Sequence, residues 1–592
     1  MVNDIMGKSL ILENIRHQLQ LKSLDAFIQP RRDMFGGEEV PDYDERLKCL
    51  SGFTGSAGMA IVTIDKAVIF IDGRYTLQAK FELDENWKIL LMSETSMIKW
   101  LEDNLYNKQR IGYDPWLMRA NEILNLKDKL ICKGIIFEAQ DVNLIDLIWT
   151  DRPSIRQGGA IKWPNKFFGL ESGKKIYSLT QKMKTKDIDA MIITQPNQLS
   201  WLLNIRGNDL ACTPLFLGFG LLTVDGKLKI FSRSNKKTLN NGKREFVNHS
   251  YEKLVSYISN FKNKKISVNP YFCPSIIYES MKDNNIVIEE KFLSLESMST
   301  IKNSVEISFI KNCHKRDGAA LVKFLYWLEH NIHLQNISEY DASIKLKEFR
   351  SKDKNFISES FHTIAASGSN GAIIHYRPSK EKAKIISTKN IFLLDSGGQY
   401  FDGTTDITRT ISFSEQPQSI KNFYTFVLKS HIALAKLIFH NETCGNELDA
   451  IARSVLWGQG LDYNHGTGHG VGYCLGVHEF PPIISRRKSE PLQKGQLLSN
   501  EPGYYVTKKF GIRLENLMIV EKVILKKLNN FLKFKTVSLC HFDMNLINKN
   551  LLNKDEIIWV NDYHDEVFSN LKEFLTNEEK KWLKSKTTKI LL

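Results

Sequence analysis

Hydrophobic positions along the first 300 residues alternate between helical spacing and short apolar runs closed by glycine. Leu24-Asp25-Ala26-Phe27-Ile28 follows a helical stretch and leads into LSGFTG; Ile188-Asp189-Ala190-Met191-Ile192 also follows one and leads into SWLLNIRG. A helix, a short apolar strand and a glycine-bearing turn form an α/β signature. The two copies lie 164 residues apart. That period fits two related domains and is far too long for a solenoid. The opening MVNDIMGKSLILENIRHQLQ reads as an amphipathic helix, and Asp151–Lys166, with its proline, glycine and charge, reads as a linker. The predicted limits are 1–160 for the first α/β domain and 161–302 for the second.

Beyond residue 300 the pattern changes. Ser304 to His330 has the period of a long helix, with Ile307, Ile310, Leu321, Phe324 and Leu325 apolar. Strand-like runs follow at Ile385-Ile386, Ile391 to Leu394, Ile407 to Phe413 and Leu517 to Val523. Helical stretches fall between them at Phe423 to Phe439 and Glu447 to Trp457. Helices mixed with hairpins predict an α+β domain over 303–592.

Composition narrows the class. A chain of 592 residues exceeds what one core supports, so two to four domains are expected. Hydrophobic residues make up 42% and charged residues 25%, which is globular. The net charge of +14 is spread widely, without a long like-charge block or basic helix, so neither nucleic acid nor a membrane surface is the expected partner. Eight scattered cysteines with no CxxC argue against a zinc ribbon or disulfide framework and fit a reducing, cytoplasmic setting. The longest apolar tract, TPLFLGFGLLTV, is too short to span a bilayer.

Candidate chemistry concentrates in the last 200 residues. In FLLDSGGQYFDGTTDITRT, Asp395 closes an apolar strand and Asp406 opens the next. Alone, the segment also fits two solvent-facing turn aspartates. If buried, each carboxylate is costly unless paired or bound to a cation, and two on adjacent strands repel. NEPGYY sets Glu501 beside a proline–glycine turn, and GIRLENLMIV sets Glu515 at the mouth of an apolar run. NHGTGHGVG adds His465 and His469 among glycines, which alone could be an ordinary flexible loop. Four carboxylates and one imidazole favour a hard or borderline divalent cation such as manganese, with zinc or cobalt as substitutes. Two such ions about 3.5–4 Å apart would activate water and polarise a carbonyl, which is hydrolytic chemistry.

These residues resemble the pita-bread metallopeptidases, and in particular the long three-domain aminopeptidase P (Xaa-Pro aminopeptidase) family. Asp395, Asp406, His469, Glu501 and Glu515 match the family's five ligands in order. His375 in GSNGAIIHYRP, His465 in HGTGHG and His478 in GVHEFPP match its three further histidines. DERLKCLSGFTGSAG, FIDGRYTLQA and RDGAALVKFL extend the likeness over nearly the whole chain. Arg377, after the tyrosine of HYRP, and the run MFGGEEVP depart from it.

The resemblance implies two creatinase-like N-terminal α/β domains before a pita-bread catalytic domain with a C-terminal extension. It implies two divalent ions and a homodimer, acting on peptides with proline second. Asp406 and Glu515 would bridge the ions, with Asp395 completing one site and His469 and Glu501 the other. Glu501 would be the general base, His478 the oxyanion partner, and His375 a group that positions substrate and moves protons. His465 would face the proline. Arg513 would either orient Glu515 by a salt bridge or touch substrate. The alternatives are a prolidase, disfavoured by the second N-terminal signature, and a metal-free binding protein on the same fold, disfavoured because all five ligands are present.

Overall fold

The computed structural model describes residues 2–156, 158–241, 245–292, 294–524 and 530–591. It divides into two compact units. One holds the chain as far as Trp163 together with Glu171–Leu210 and Leu215–Leu295; the other holds Pro164–Leu170, Ala211–Pro214 and the chain from Glu296 onward. Gln157, inside the expected linker, lies outside the described residues. The end of that segment is structured, because Ala160–Lys162 pairs with Ile205–Gly207.

The first unit carries the repeat. Its six-stranded sheet runs Lys88–Leu91, Ala67–Ile71, Gly58–Thr63, Ala26–Pro30, Arg110–Tyr113, Ile136–Ala139. Its seven-stranded sheet runs Thr238–Asn240, Glu245–Ser250, Leu228–Ser232, Gly218–Thr223, Ala190–Ile193, Lys265–Ser267, Val287–Glu289. Apart from the extra edge strand, the order and the sense of every pairing agree. The two aspartates noted in the sequence repeat also do the same work. The Asp25 carboxylate accepts from the Arg110 amide at 2.7 Å and that of Asp189 from the Lys265 amide at 2.9 Å. Each ties the start of an apolar strand to its parallel neighbour.

In the second unit the helix Ser304–Asn331 begins on a capping box in which Asn303 and Glu306 bond each other's backbone amides. Helix Glu339–Ser351 follows. A three-stranded sheet orders Ile364–Ser367, Phe392–Ser396, Ile407–Ile411. A six-stranded sheet orders Ile438–His440, Phe531–Thr536, Asn516–Lys522, Leu497–Asn500, Gly468–Gly470, Glu479–Ile484. The helix expected at Phe423 to Phe439 is Gln418–Ala435, and the residues after it form an edge strand. Ile385-Ile386 makes one isolated bridge, Ser338 to Ile385, and is no strand. The core of this unit packs Val427, Leu428 and Ile432 of that helix against Ile512, Leu514, Phe542 and Val560.

Candidate metal centre

Two pairs of strands bring the acidic positions together. Phe392–Ser396 and Ile407–Ile411 pair antiparallel with Asp395 opposite Thr408, so Asp395 and Asp406 share one end of that ladder. Leu497–Asn500 and Asn516–Lys522 pair with Asn500 opposite Asn516, so Glu501 and Glu515 flank one cross-strand pair. Gly468–Gly470, with His469 at its centre, runs between Leu497–Asn500 and Glu479–Ile484 in the same sheet. A Cβ on Gly468 would lie 2.1 Å from the Ser499 carbonyl, and one on Gly470 would lie 2.5 Å from the Glu479 carbonyl. Backbone crowding from the strands on both sides, and not loop flexibility, explains those glycines.

His469 Nε2 stands 3.6 Å from Asp406 Oδ2 and 3.6 Å from Glu501 Oε1. Donor atoms of Asp406, His469 and Glu515 all lie within 4.8 Å of one another. Burial pushes Glu515 well above the usual carboxylate range, and the charges of Asp406, Glu501 and Asp395 push it further. Burial likewise raises Glu501 and Asp395, with Arg513 partly offsetting the effect at each. Burial works against protonation of His469, yet the nearby carboxylates of Asp406 and Glu501 hold it at about 9. Asp395 Oδ1 and Asp406 Oδ1 are buried without a hydrogen-bond partner among the described residues.

Four acids sharing one region with two bare oxygens form an unbalanced set, and carboxylate oxygen with one imidazole suits divalent cations. The residues therefore fit the ions that the sequence pattern implied.

The surrounding side chains differ in part from expectation. Arg513 does not pair with Glu515. Its NH2 group meets Asp395 Oδ2 at 2.6 Å and its NH1 group meets the Tyr505 hydroxyl at 2.8 Å. Glu515 accepts instead from the Thr408 hydroxyl at 2.8 Å. Arg513 leaves one strand and Glu515 precedes the next, which turns the two side chains to different partners. His465 does sit in a loop, its Nε2 2.9 Å from the Tyr505 hydroxyl. His478 is exposed and stands edge-on to His469 with ring centres 4.3 Å apart. His375 is half-buried, one residue after Ile374, whose carbonyl accepts from Arg513 NH2 at 3.4 Å.

Residues that sequence reasoning missed lie behind the acids. His431 donates from Nδ1 to the Asn500 carbonyl (3.1 Å) and accepts at Nε2 from Asn516 (3.2 Å), holding the residues next to Glu501 and Glu515. Arg409 donates to the carbonyls of Thr408 and Glu515 at 2.9 and 2.7 Å, and to those of Cys540 and His541. No local pattern marks these positions, because apart from Thr408, beside Arg409, the partners named are 69 to 132 residues away.

The model for metallopeptidase family M24 matches residues 308–522, and that for the C-terminal region of peptidase M24 matches 530–590. Two models of the creatinase/prolidase N-terminal domain match 11–148 and 151–306. A Laccaria bicolor protein named "Probable Xaa-Pro aminopeptidase P" is 37% identical, with 97% of this chain and 92% of that protein covered. Xaa-Pro aminopeptidase 1 of Dictyostelium discoideum is 37% identical, with 98% and 97% covered. The crystal structure of the Caenorhabditis elegans X-prolyl aminopeptidase, described as a cytosolic enzyme with a dinuclear active site, superposes with a TM-score of 0.94. It is 32% identical and covers 99% of this chain and 100% of that one.

Proposed function

The chain belongs to metallopeptidase family M24, among its Xaa-Pro aminopeptidases, and we propose that it removes the N-terminal residue from peptides with proline second. In this reading Asp395, Asp406, His469, Glu501 and Glu515 hold two divalent ions, manganese by preference. The observation that carries the assignment is the convergence of Asp406, His469 and Glu515 within 4.8 Å beside two unpartnered carboxylate oxygens. The ions, when bound, supply Lewis acidity and a lowered water pKa at neutral pH.

The chain's own groups do the rest. Glu501 receives the Ser499 hydroxyl on Oε1 at 3.3 Å, which orients its carboxylate. It takes a proton from the attacking water and returns it to the leaving proline nitrogen. His478, exposed at the rim of His469, donates to the oxyanion of the tetrahedral intermediate. His375 positions the substrate and moves protons, and His465, fixed by the Tyr505 hydroxyl, faces the proline ring. Proline lacks an amide N–H and has a fixed φ, so a pocket shaped for its ring turns a poor peptidase substrate into a selected one.

The domain limits 1–160, 161–302 and 303–592, a homodimer and a cytoplasmic location complete the proposal. The location is supported by cysteines that form no disulfide among the described residues. Among the described residues no helix is long and apolar enough to cross a membrane.

The test uses protein stripped of metal and reloaded with manganese, offered Xaa-Pro-Yaa, Xaa-Pro and Xaa-Ala-Yaa beside a Glu501→Ala variant. Cleavage of the prolyl tripeptide only, lost in the variant and without metal, is expected. Preference for the dipeptide would make the protein a prolidase, and no cleavage with any ion would leave a binding protein on this fold.

A further inference from the structure

We propose that Glu339 is a positioning residue for His375, acting through the loop that presents it; the inference rests on the assignment of His375 to substrate. Glu339 opens helix Glu339–Ser351 and is fully buried. Its two carboxylate oxygens receive four donor groups from one stretch of chain. The Ser367 amide reaches Oε1 at 2.7 Å, and the Asn370 side chain reaches both oxygens at 2.9 and 3.0 Å. The Tyr376 hydroxyl reaches Oε2 at 2.7 Å and the Lys384 amide at 2.9 Å. These groups lie at the entry, the middle and the exit of the loop that carries His375.

The backbone completes the clasp, since the Glu339 amide donates to the Lys384 carbonyl and the Ile386 amide to the Ile337 carbonyl, both at 2.9 Å. Lys384 Nζ then crosses the loop to the Ser369 hydroxyl at 2.8 Å.

The clasp is aimed at the metal centre. Tyr376, next to His375, packs its ring on Ile364, Ala366 and Leu393, and Ile364 lies opposite Asp395. On the other side the loop meets strand Phe510–Arg513, where a Cβ on Gly511 would fall 1.8 Å from the Gly371 carbonyl. Arg513 joins the Ile374 carbonyl to Asp395. His375 is thereby held in register with Asp395 from both flanks, while its own side chain is only half-buried.

The chemistry requires a carboxylate, because every group facing Glu339 in this cluster is an N–H or O–H donor and only an acceptor on both oxygens satisfies them. The start of a helix further favours its negative charge. A glutamine there would turn one oxygen into a donor against Tyr376 and the Lys384 amide, or against Ser367 and Asn370. Tyr376→Phe removes a single bond and keeps the ring packing.

The experiment is a double-mutant cycle on the manganese-loaded enzyme with an Xaa-Pro-Yaa tripeptide. Glu339→Gln, Tyr376→Phe and His375→Ala are measured singly, and the first two also in the His375→Ala background. Thermal midpoint and bound metal are recorded for each. Glu339→Gln is expected to lower kcat/KM about 10-fold or more and Tyr376→Phe several-fold, with metal content unchanged. Both losses should shrink below about 2-fold once His375 is absent.

Equal losses with and without His375, or a fall in bound metal, would overturn the positioning role while leaving the assignment of His375 intact. An unchanged kcat/KM in His375→Ala would instead overturn that assignment, and this role with it. If Glu339→Gln does not accumulate as folded protein, the Tyr376→Phe pair decides by the same criteria.

Discussion

Replacing His431 by glutamine should remove a specific part of the catalytic unit's sensitivity to acid. The imidazole, on helix Gln418–Ala435, is completely buried against the paired residues Asn500 and Asn516, which adjoin Glu501 and Glu515. With Nδ1 donating to a carbonyl and Nε2 accepting from an amide, only the neutral ring satisfies both bonds. Burial and the nearby Arg409 hold its pKa down at about 3, from an ordinary 6.5. For a histidine depressed in the folded state, the unfolded chain binds more protons below pH 6.5, so stability falls as pH falls from there toward 3. At about 1.4 kcal/mol per unit, the loss between pH 7 and pH 5 comes to about 2 kcal/mol.

Glutamine can offer its N–H to the Asn500 carbonyl and its oxygen to Asn516 without titrating. The ring also stands edge-on to Phe542 and Trp559, so the variant starts somewhat less stable at pH 7. The informative quantity is therefore the difference between the two pH values. Thermal unfolding of metal-free protein, wild type and His431→Gln, at pH 7 and pH 5 measures it, since metal release then contributes to neither. The wild-type midpoint should fall by roughly 4 °C more than that of the variant. Parallel shifts would refute the reasoning, because they would mean His431 is protonated in the native state.

Gly468→Ala sets a methyl group 2.1 Å from the Ser499 carbonyl and must part the strands around His469. A stability loss of about 2–4 kcal/mol in urea is expected, with lowered metal stoichiometry by elemental analysis. Tyr505→Phe removes the hydroxyl that accepts from Arg513 NH1 and meets His465 Nε2. The cost should be about 1–3 kcal/mol, with steady-state kinetics showing KM for prolyl peptides rising more than kcat falls. Metal removal should be felt most at high pH. Asp395, Glu501 and Glu515 are raised in the metal-free fold, so their contribution is present at low pH and lost as pH rises. Calorimetry should show the gap in midpoint between loaded and stripped protein widening from pH 5 to pH 8, and a constant gap would count against it.

Much of this protein is legible without coordinates wherever a local pattern carries the information. The paired Leu24-Asp25 and Ile188-Asp189 segments announce two related α/β domains, because a helix leading into a short apolar strand is encoded over a few residues. The matching strand order of their sheets is seen only in the fold. The acids stand out because a carboxylate at the end of an apolar strand is unfavourable without a partner, and that is visible from neighbours alone. Tertiary structure decides which partner each group takes. Arg513 lies two residues from Glu515 yet bonds Asp395, 118 positions away, because strand direction sends the neighbouring side chains apart. Glu339 and His431 look like an ordinary helix glutamate and an ordinary core histidine until folding surrounds one with donors and sets the other against a pair of strands. Spacing along the chain identifies which residues can do chemistry, but hydrogen bonds depend on distance in space, and only the packed fold sets that distance.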